Sequence, residues 1–320
     1  MPFISSVRGN VDKLKQSEKT LDKFDITGGD IVYTAGGYRI HMFTKTGESQ
    51  LKVALKNNAP KEVLHLQPAN LAVEYMIVGG GGSGHTTHGS GGGGAGGFKQ
   101  GETSIGAGTY PIGIGGGGAG QPTGGDGTDG TASSFNGIQG RLGGGGGSGH
   151  PSRPRAGREG SSGGGFGYHQ GGGGGGASGW GGDSAANSNH HNRPGVAYDV
   201  PGEGYGFGSH GILMPAGPEG YPGGRGTSDW GPTQRAGSGG RGINTTINGS
   251  WNTYAGGGGG GCHNYFGQGS GGPGGGGQGG GQQRGGTNAG TNTGGGGGGS
   301  DNAGVSGAGG PGIVIVRYLV

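Results

Sequence analysis

The chain has 320 residues, of which 102 are glycine; only 26% are hydrophobic, 12% are charged, and the formal net charge is +3. A globular enzyme needs about 45–50% apolar residues for its core, so we do not expect an enzyme. The glycines form uninterrupted blocks rather than recurring at every third position, and 15 prolines are too few for collagen, so a collagen triple helix is excluded.

Residues 1–25 differ from the rest of the chain and form the first predicted unit. Apolar residues fall here at helical spacings among many charged ones: Val11, Leu14, Leu21 and Phe24. This pattern predicts a short amphipathic helix or an arm that docks on a partner protein.

Residues 26–78 are predicted to form short β-strands, because runs rich in Val, Ile, Tyr and Phe alternate with turn residues. The predicted strands are Ile31–Thr34, Tyr38–Thr44, Leu51–Leu55, Val63–Leu66 and Leu71–Val78. The sequence Ala35-Gly36-Gly37 indicates a hairpin between the first two.

The glycine-rich body spans residues 79–312 and contains one clear strand, 109–114, in which Pro111 predicts an edge strand or a bend. Residues 313–320 are the most strand-prone segment of the chain and would aggregate if left unpaired. We therefore expect residues 26–78, 109–114 and 313–320 to form one β-sandwich, with the glycine-rich body inserted between its strands.

Low hydrophobicity with much glycine is typical of a flexible coil, and an ordered body would have to be held by backbone hydrogen bonds. An extended helix with three residues per turn suits glycine blocks, because its amides and carbonyls point outward to neighbouring rods. Such a bundle of rods is called polyglycine II. Residues other than glycine are then expected on outer edges at a period of three: Ala95 and Phe98, then Ala177, Trp180 and Asp183.

The chain carries no motif for a metal or a cofactor. His85 and His88 lie three residues apart, and further histidines and the single cysteine, Cys262, occur later, but four ligands at definite spacing are absent, so we expect surface histidines. Patterns such as G-x-G-x-x-G arise by chance when one residue in three is glycine, and no phosphate-binding loop is present. We predict no metal and no cofactor.

Aromatic residues are concentrated in the segments between glycine blocks. They are Tyr205, Phe207, Tyr221, Trp230, Trp251, Tyr254, Tyr265 and Phe266. On loops held by a rigid scaffold, such rings suit the recognition of a sugar or of a protein surface. The alternative is that they cap the ends of the rods as small hydrophobic lids.

Several stretches resemble, in order, a family of glycine-rich bacteriophage tail proteins. The matching stretches are GDIVYTAGGYRIHMFT from residue 29, VEYMIVGGGGSG from residue 73, GAGGF from residue 94, GTYPIGIGGGG from residue 108, SSF from residue 133 and GGPGIVIVRY from residue 309. The resemblance implies a mainly β fold, an antiparallel β-sandwich with an inserted bundle of polyglycine II helices. It extends to the glycine-rich ectodomain of anaplastic-lymphoma-kinase-type receptors and to the adhesins at the tips of T-even-like phage fibres.

The resemblance implies a structural protein of a phage tail or fibre that binds the host receptor without catalysis. The aromatic loops would then contact a bacterial surface protein or glycan, while residues 1–78 contact other virion proteins. A connector or decoration protein that touches only other virion proteins is the alternative.

We further expect several copies or a homo-oligomer, no nucleic acid and no membrane insertion. The chain starts without a basic stretch followed by a long apolar one, so we predict no signal peptide and a location in the virion after synthesis in the host cytoplasm.

Overall fold

A computed structural model of the chain describes most of its length. The described ranges are 24–56, 70–86, 90–140, 148–150, 153–155, 167–168, 170–176, 236–262, 267–281, 284–301 and 304–320. Within these ranges the chain forms β-strands and turns and no helix, so the predicted mainly β class is confirmed.

The strands are numbered in chain order. They are β1 (Phe24–Thr27), β2 (Ile31–Ala35), β3 (Tyr38–Phe43), β4 (Gly47–Leu55), β5 (Leu71–Val78), β6 (Phe98–Ile105), β7 (Gly108–Ile114), β8 (Ser133–Phe135), β9 (Ile138–Gly140), β10 (Ser148–His150), β11 (Arg153–Arg155), β12 (Gly167–Tyr168), β13 (Gln170–Gly171), β14 (Ile243–Thr245), β15 (Asn252–Tyr254) and β16 (Ile313–Leu319).

Two five-stranded sheets lie face to face. The first has the order β1-β4-β7-β8-β9 and the second the order β2-β3-β16-β5-β6, with every neighbouring pair antiparallel. Side chains from both sheets form the core between them, including Phe43, Leu51, Ile77, Ile112 and Phe135. The predicted antiparallel β-sandwich is therefore confirmed.

The strand β16 lies at the centre of the second sheet, between β3 and β5. Its side chains alternate, so that Val314 and Val316 enter the core between the sheets. Ile313 and Ile315 pack on the opposite face. Both faces are buried, and the prediction that the terminal segment pairs with the strands of residues 26–78 is confirmed.

The outer face of the second sheet is covered by the hairpin of β14 and β15. Tyr254 and Ile247 pack there against Ile40 and Met76. Arg317 helps to fix the hairpin, because its Nη1 donates a hydrogen bond to the Thr246 carbonyl at 2.9 Å. This second core gives the sandwich three layers on that side.

Several sequence predictions need correction. Phe24 begins β1, pairs with Leu55 and is buried in the core, so it does not lie on a helical docking arm. Ala95, expected on an outer edge, is fully buried in the second core. The strand β6 was not predicted from the sequence. It begins at Phe98, which was expected together with Ala95 on an outer edge of the glycine rods. The predicted strand Val63–Leu66 and residues 177, 180 and 183 lie outside the described residues.

The strand β7, which contains Pro111, lies in the middle of the first sheet and not at its edge. Its neighbour β8 is short and pairs only with Ile112 and Gly113 of β7. Pro111 opposes Gln50 of β4 on one side, and on the other side its carbonyl accepts a hydrogen bond from the amide of Asn136, just beyond the end of β8, at 2.9 Å.

The glycine layer is the set of extended segments that follows the sandwich strands. It comprises residues 79–86, 90–97, 115–131, 172–176, 236–242, 256–262, 267–281, 284–301 and 304–312. Backbone hydrogen bonds connect these segments to one another throughout. The segments of the layer lie between β5 and β16 along the chain and alternate there with strands β6 to β15.

The hydrogen bonds of segment 79–86 repeat every three residues. The amides of Gly79 and Gly82 donate to the carbonyls of Gly97 and Gly94, and His85 continues this series to Gly91. A second series runs to another neighbour, with the amides of Gly80, Ser83 and Thr86 donating to the carbonyls of residues 131, 128 and 125. A third series runs from Gly81 and Gly84 to the carbonyls of residues 310 and 307. Three successive amides thus reach three different neighbours.

Segment 256–262 follows the same rule at the centre of the layer. The amides of residues 256, 259 and 262 donate to residues 274, 277 and 280, those of 257 and 260 to residues 240 and 237, and those of 258 and 261 to residues 93 and 90. A period of three is the bonding expected of an extended helix with three residues per turn. The polyglycine II form itself stays a prediction, since it is defined by torsion angles.

Candidate functional site

The glycine layer has two ends that differ in what they join. The strand β5 runs into Gly79, β7 runs into Gly115, and Gly312 leads into β16, so these glycines lie next to the sandwich. The hydrogen-bond register places Thr86 and Ser300 at the opposite end. With a rise of about 3.1 Å per residue, a segment such as 79–86 carries the chain roughly 25 Å from the sandwich.

We call this far end of the glycine layer the loop pole. It is formed by the described loop 119–125 and by the residues that flank the short connections at 87–89, 263–266, 282–283 and 302–303. The described residues on either side of these connections are held by the backbone bonds of the glycine layer.

The other end of the molecule, which we call the sandwich pole, lies beyond the sandwich. Phe24 pairs with Leu55 there. Leu319 pairs with Tyr38 at the same end. Residues 1–23 therefore join the described chain at the pole opposite the loop pole.

Buried polar side chains hold the loop pole together. His85 is buried, not on the surface as expected, and its Nε2 lies 3.3 Å from Oδ1 of Asp126. The Thr86 hydroxyl donates to the Pro122 carbonyl at 2.5 Å. The hydroxyl of Ser90 donates to the Ser300 carbonyl. These bonds fix the described residues at the loop pole.

The loop 119–125 is fixed in the same way. The amide of Gln121 donates to the Ser306 hydroxyl at 2.9 Å, and its side-chain amide donates to the Ala119 carbonyl at 2.8 Å. Sequence reasoning concentrated on aromatic residues and missed these Ser and Thr anchors. Their position at the ends of glycine blocks was the available signal.

Most of the predicted binding residues lie outside the described residues. These are Tyr205, Phe207, Tyr221, Trp230, Tyr265 and Phe266, together with Val11, Leu14 and Leu21 of the predicted docking arm. Two of them follow Cys262, which ends a segment at the loop pole. The described chain stops before the longest gap at Gly176, which lies beside Arg241 near the sandwich. It resumes at Ala236, whose amide donates to the Gly267 carbonyl on the side of the loop pole.

Trp251 and Tyr254 lie on the same hairpin and differ in environment. Trp251 is 72% exposed, whereas Tyr254 is 6% exposed and packs in the second core. Burial raises the pKa of the Tyr254 hydroxyl to about 12. Tyr254 therefore packs inside the second core against the sheet and not at the end of a glycine segment, so it is not an exposed ring of the described structure.

Trp251 lies towards the sandwich pole rather than the loop pole. The hairpin turn is held against β2, because the Tyr33 hydroxyl donates to the Asn248 carbonyl at 2.6 Å. Gly249 sits so close to Ala35 that a Cβ on this glycine would lie 2.6 Å from that of Ala35. Ala35 ends β2 at the sandwich pole, because it opposes Tyr38, which pairs with Leu319 at that pole.

The described residues were also searched for metal sites and membrane spans. No three of their His, Cys, Asp or Glu side chains come together in a way that would hold a metal ion. None of the described segments is a helix long and apolar enough to cross a membrane.

Comparison with known protein families identifies the family of this chain. The family model of a glycine-rich domain matches residues 61–319, which include β5 to β16 and the whole glycine layer. No curated protein matches the chain.

Proposed function

The chain belongs to the glycine-rich domain family, and we propose that this member is a structural protein of a bacteriophage tail or fibre that attaches the virion to its host. In this proposal residues 1–23 and the sandwich pole bind another virion protein. The loop pole then binds a protein or glycan on the bacterial surface, without catalysis.

The observation that carries the proposal is the opposition of the two poles. Residues 1–23 precede Phe24, which lies at one end. The described residues that flank four short connections, together with the loop 119–125, lie at the other end, while the turns at 273–275 and 291–294 lie next to the sandwich. A protein that is anchored at one end and recognises a surface at the other needs this separation.

The glycine layer suits such a role because it is stiff and its surface is replaceable. Its cohesion comes from backbone bonds, so the sequence of a connection is free to vary while the segments on both sides stay in place. Binding residues on connections held by a rigid scaffold lose little entropy when they bind.

The experiment replaces two segments that carry predicted binding residues, 200–230 and the loop-pole connection 263–266, with Gly-Ser segments of equal length in the phage and measures adsorption to host cells. We expect virions that contain the altered protein but adsorb at least about tenfold more slowly, as loss of a binding hot spot implies. Quantifying the protein in purified particles separates loss of binding from loss of assembly. Normal adsorption by particles that carry the replacement would contradict the proposal.

A matched variant tests the opposite pole. Changing Val11, Leu14 and Leu21 together to Asp places charges on the predicted docking arm. We expect the protein to be absent from particles while the purified protein still binds host cells. If the purified protein binds no cells and the loop pole is covered by neighbours in the particle, the connector alternative replaces the adhesin.

A further inference from the structure

The sandwich has one sheet edge that lacks the features that normally prevent pairing with another strand. Among the described strands the edges are β1 and β9 of the first sheet and β2 and β6 of the second. Natural edge strands are kept from pairing by charges, by shortness or by a cover.

Three of these edges are protected and β2 is not. The strand β6 carries Lys99 and Glu102, β1 has four residues with Asp25 among them, and β9 has three residues. The strand β2 has the sequence IVYTA and bears no charge of its own. The guanidinium of Arg39 on β3 lies on one of its residues, donating to the Thr34 hydroxyl at 3.2 Å, so a single cation reaches this edge.

The nearest acidic group does not guard this edge. Asp30, which precedes β2, is turned back onto the chain after β3, where its carboxylate accepts hydrogen bonds from the backbone amides of Thr44 at 2.7 Å and Lys45 at 3.1 Å.

Apolar side chains are incompletely covered on both faces of β2. Ile31 is 49% exposed and shares the outer face with Tyr33 and Ala35. Val32 is 37% exposed and points to the other face, opposite His41. Because both faces are affected, the missing neighbour is one that lies in the plane of the sheet.

We infer that β2 pairs with β2 of a second copy of this chain, antiparallel across a twofold axis, so that the two five-stranded sheets become one continuous sheet. Full overlap of the two strands is centred on Tyr33. Ile31 then opposes the partner's Ala35, and Val32 opposes the partner's Thr34, so larger side chains meet smaller or β-branched ones.

The exposed Trp251 makes the surface complementary to itself. This residue belongs to the hairpin turn that packs beside Ala35, on the outer face of the second sheet. In the antiparallel pair Ala35 lies next to the partner's Ile31, on the same face. The hairpin turn that carries Trp251, which is 72% exposed, is therefore brought next to the partner's uncovered isoleucine.

The pairing has a further geometric consequence. Since the strands are antiparallel, the two glycine layers extend in opposite directions, and the dimer is elongated with a loop pole at each end. The inference concerns the free protein and does not depend on the proposed function.

The first test is sedimentation of the full-length protein across a range of concentrations. We expect a dimer that dissociates on dilution. The variant Val32→Lys is expected to weaken association by about tenfold or more, because it brings a charge into the interface. Trp251→Ala is expected to weaken association without loss of the fold.

The matched control is Val305→Lys, the same change at a residue of the glycine layer that is 58% exposed. It is expected to leave association unchanged. Thermal unfolding of every variant verifies that it is folded. A wild type that stays monomeric, a Val32→Lys variant that associates like the wild type, or a Val305→Lys variant that weakens association equally would each overturn the inference.

Hydrogen exchange gives a second readout that needs no variant. The amides of β2 are expected to exchange more slowly as the dimer forms, while those of the edge strands β1 and β6 do not change. Slowing at another strand would overturn the inference. Protection of β2 in virions alone would assign this edge to another virion protein and likewise overturn it.

Discussion

In the sandwich, Phe43, Ile77 and Phe135 are fully buried among other side chains, whereas at the centre of the glycine layer amide nitrogens meet carbonyl oxygens. One region is stabilised by the removal of apolar surface from water. The other is held by a network in which successive amides reach different neighbours, and its side chains contribute little. The comparison shows that one chain combines two kinds of interior, and each should respond to a different kind of substitution.

The strongest test of this difference is a large truncation in the sandwich. Phe43→Ala is expected to lower the free energy of unfolding by about 3–5 kcal/mol, because Phe43 is fully buried in the main core. Urea denaturation measures the loss. Lys52→Ala on the exposed face of β4 is the control, with an expected change within about 0.5 kcal/mol. Equal effects of the two variants would contradict the side-chain core.

The glycine layer should instead be sensitive to the addition of a single methyl group. A Cβ on Gly117 would overlap the carbonyl oxygen of Gly309, so Gly117→Ala is expected to cost about 3 kcal/mol. Thermal and urea unfolding measure this cost.

The adjacent residue provides the matched control. A Cβ on Gly116 would meet nothing closer than Thr46 Cγ2 at 3.5 Å, so Gly116→Ala is expected to stabilise the protein by about 0.4–1 kcal/mol, since alanine reduces the entropy of the unfolded chain. Effects of the same sign and size at both positions would contradict close contact between glycine segments.

A smaller effect is expected where the hairpin joins the sandwich. Arg317 donates to Glu74 Oε2 at 2.6 Å and to the Thr246 carbonyl, and its guanidinium lies 4.1 Å from the centre of the Tyr38 ring. Arg317→Met is expected to lower the free energy of unfolding by about 1 kcal/mol, since the ion pair is partly exposed and the exposed Thr246 carbonyl loses a donor that water can replace. Arg39→Met, which removes an exposed guanidinium that donates to the Thr34 hydroxyl and forms no hydrogen bond with the described residues of the hairpin, is the control at neutral pH. Equal losses in the two variants would show that the hairpin does not depend on Arg317.

The smallest expected effect is the dependence of the free energy of unfolding on pH, which arises from His41 inside the sandwich. Burial lowers the pKa of His41, and Arg39 acts in the same direction, although the hydrogen bond to the Gly28 carbonyl opposes them. The unfolded chain therefore takes up a proton near pH 6.5 more readily than the folded chain, and stability falls as the pH drops below this value.

Comparison of the wild type with His41→Gln isolates this effect from the other histidines. The urea midpoint of the wild type is expected to fall more between pH 7 and pH 5 than that of the variant. Identical changes in both proteins would show that His41 does not titrate differently in the two states.

The sequence was sufficient where a local pattern decides the structure. The strands β2, β3, β5 and β16 are runs of β-branched and aromatic residues, and they lie where they were predicted. The strand β6 was missed because Lys99, Gly101 and Glu102 weaken its pattern, and pairing with β5 supplies what the local sequence lacks. Phe24 is three residues from Leu21, which fits a helix, and two residues from Ile26, which fits a strand. The sequence allows both patterns, and pairing with β4 selects the strand.

The candidate site depends more on tertiary contacts than the strands do. Trp251 and Tyr254 are three residues apart and were expected to behave alike, yet one is exposed and the other is buried. Which residue is buried is decided by the side on which the hairpin packs against the second sheet. The residue types alone do not indicate which of the two side chains is buried.

The period of three in the hydrogen bonds limits how the gene can change. Inserting one residue into segment 79–86 would turn every following amide by a third of a revolution, towards the wrong neighbour. Only insertions or deletions of three residues, nine nucleotides of coding sequence, leave the later partners in place. Connections at the loop pole escape this rule, so they can be lengthened, shortened or exchanged as cassettes between related genes while the interior remains unaltered.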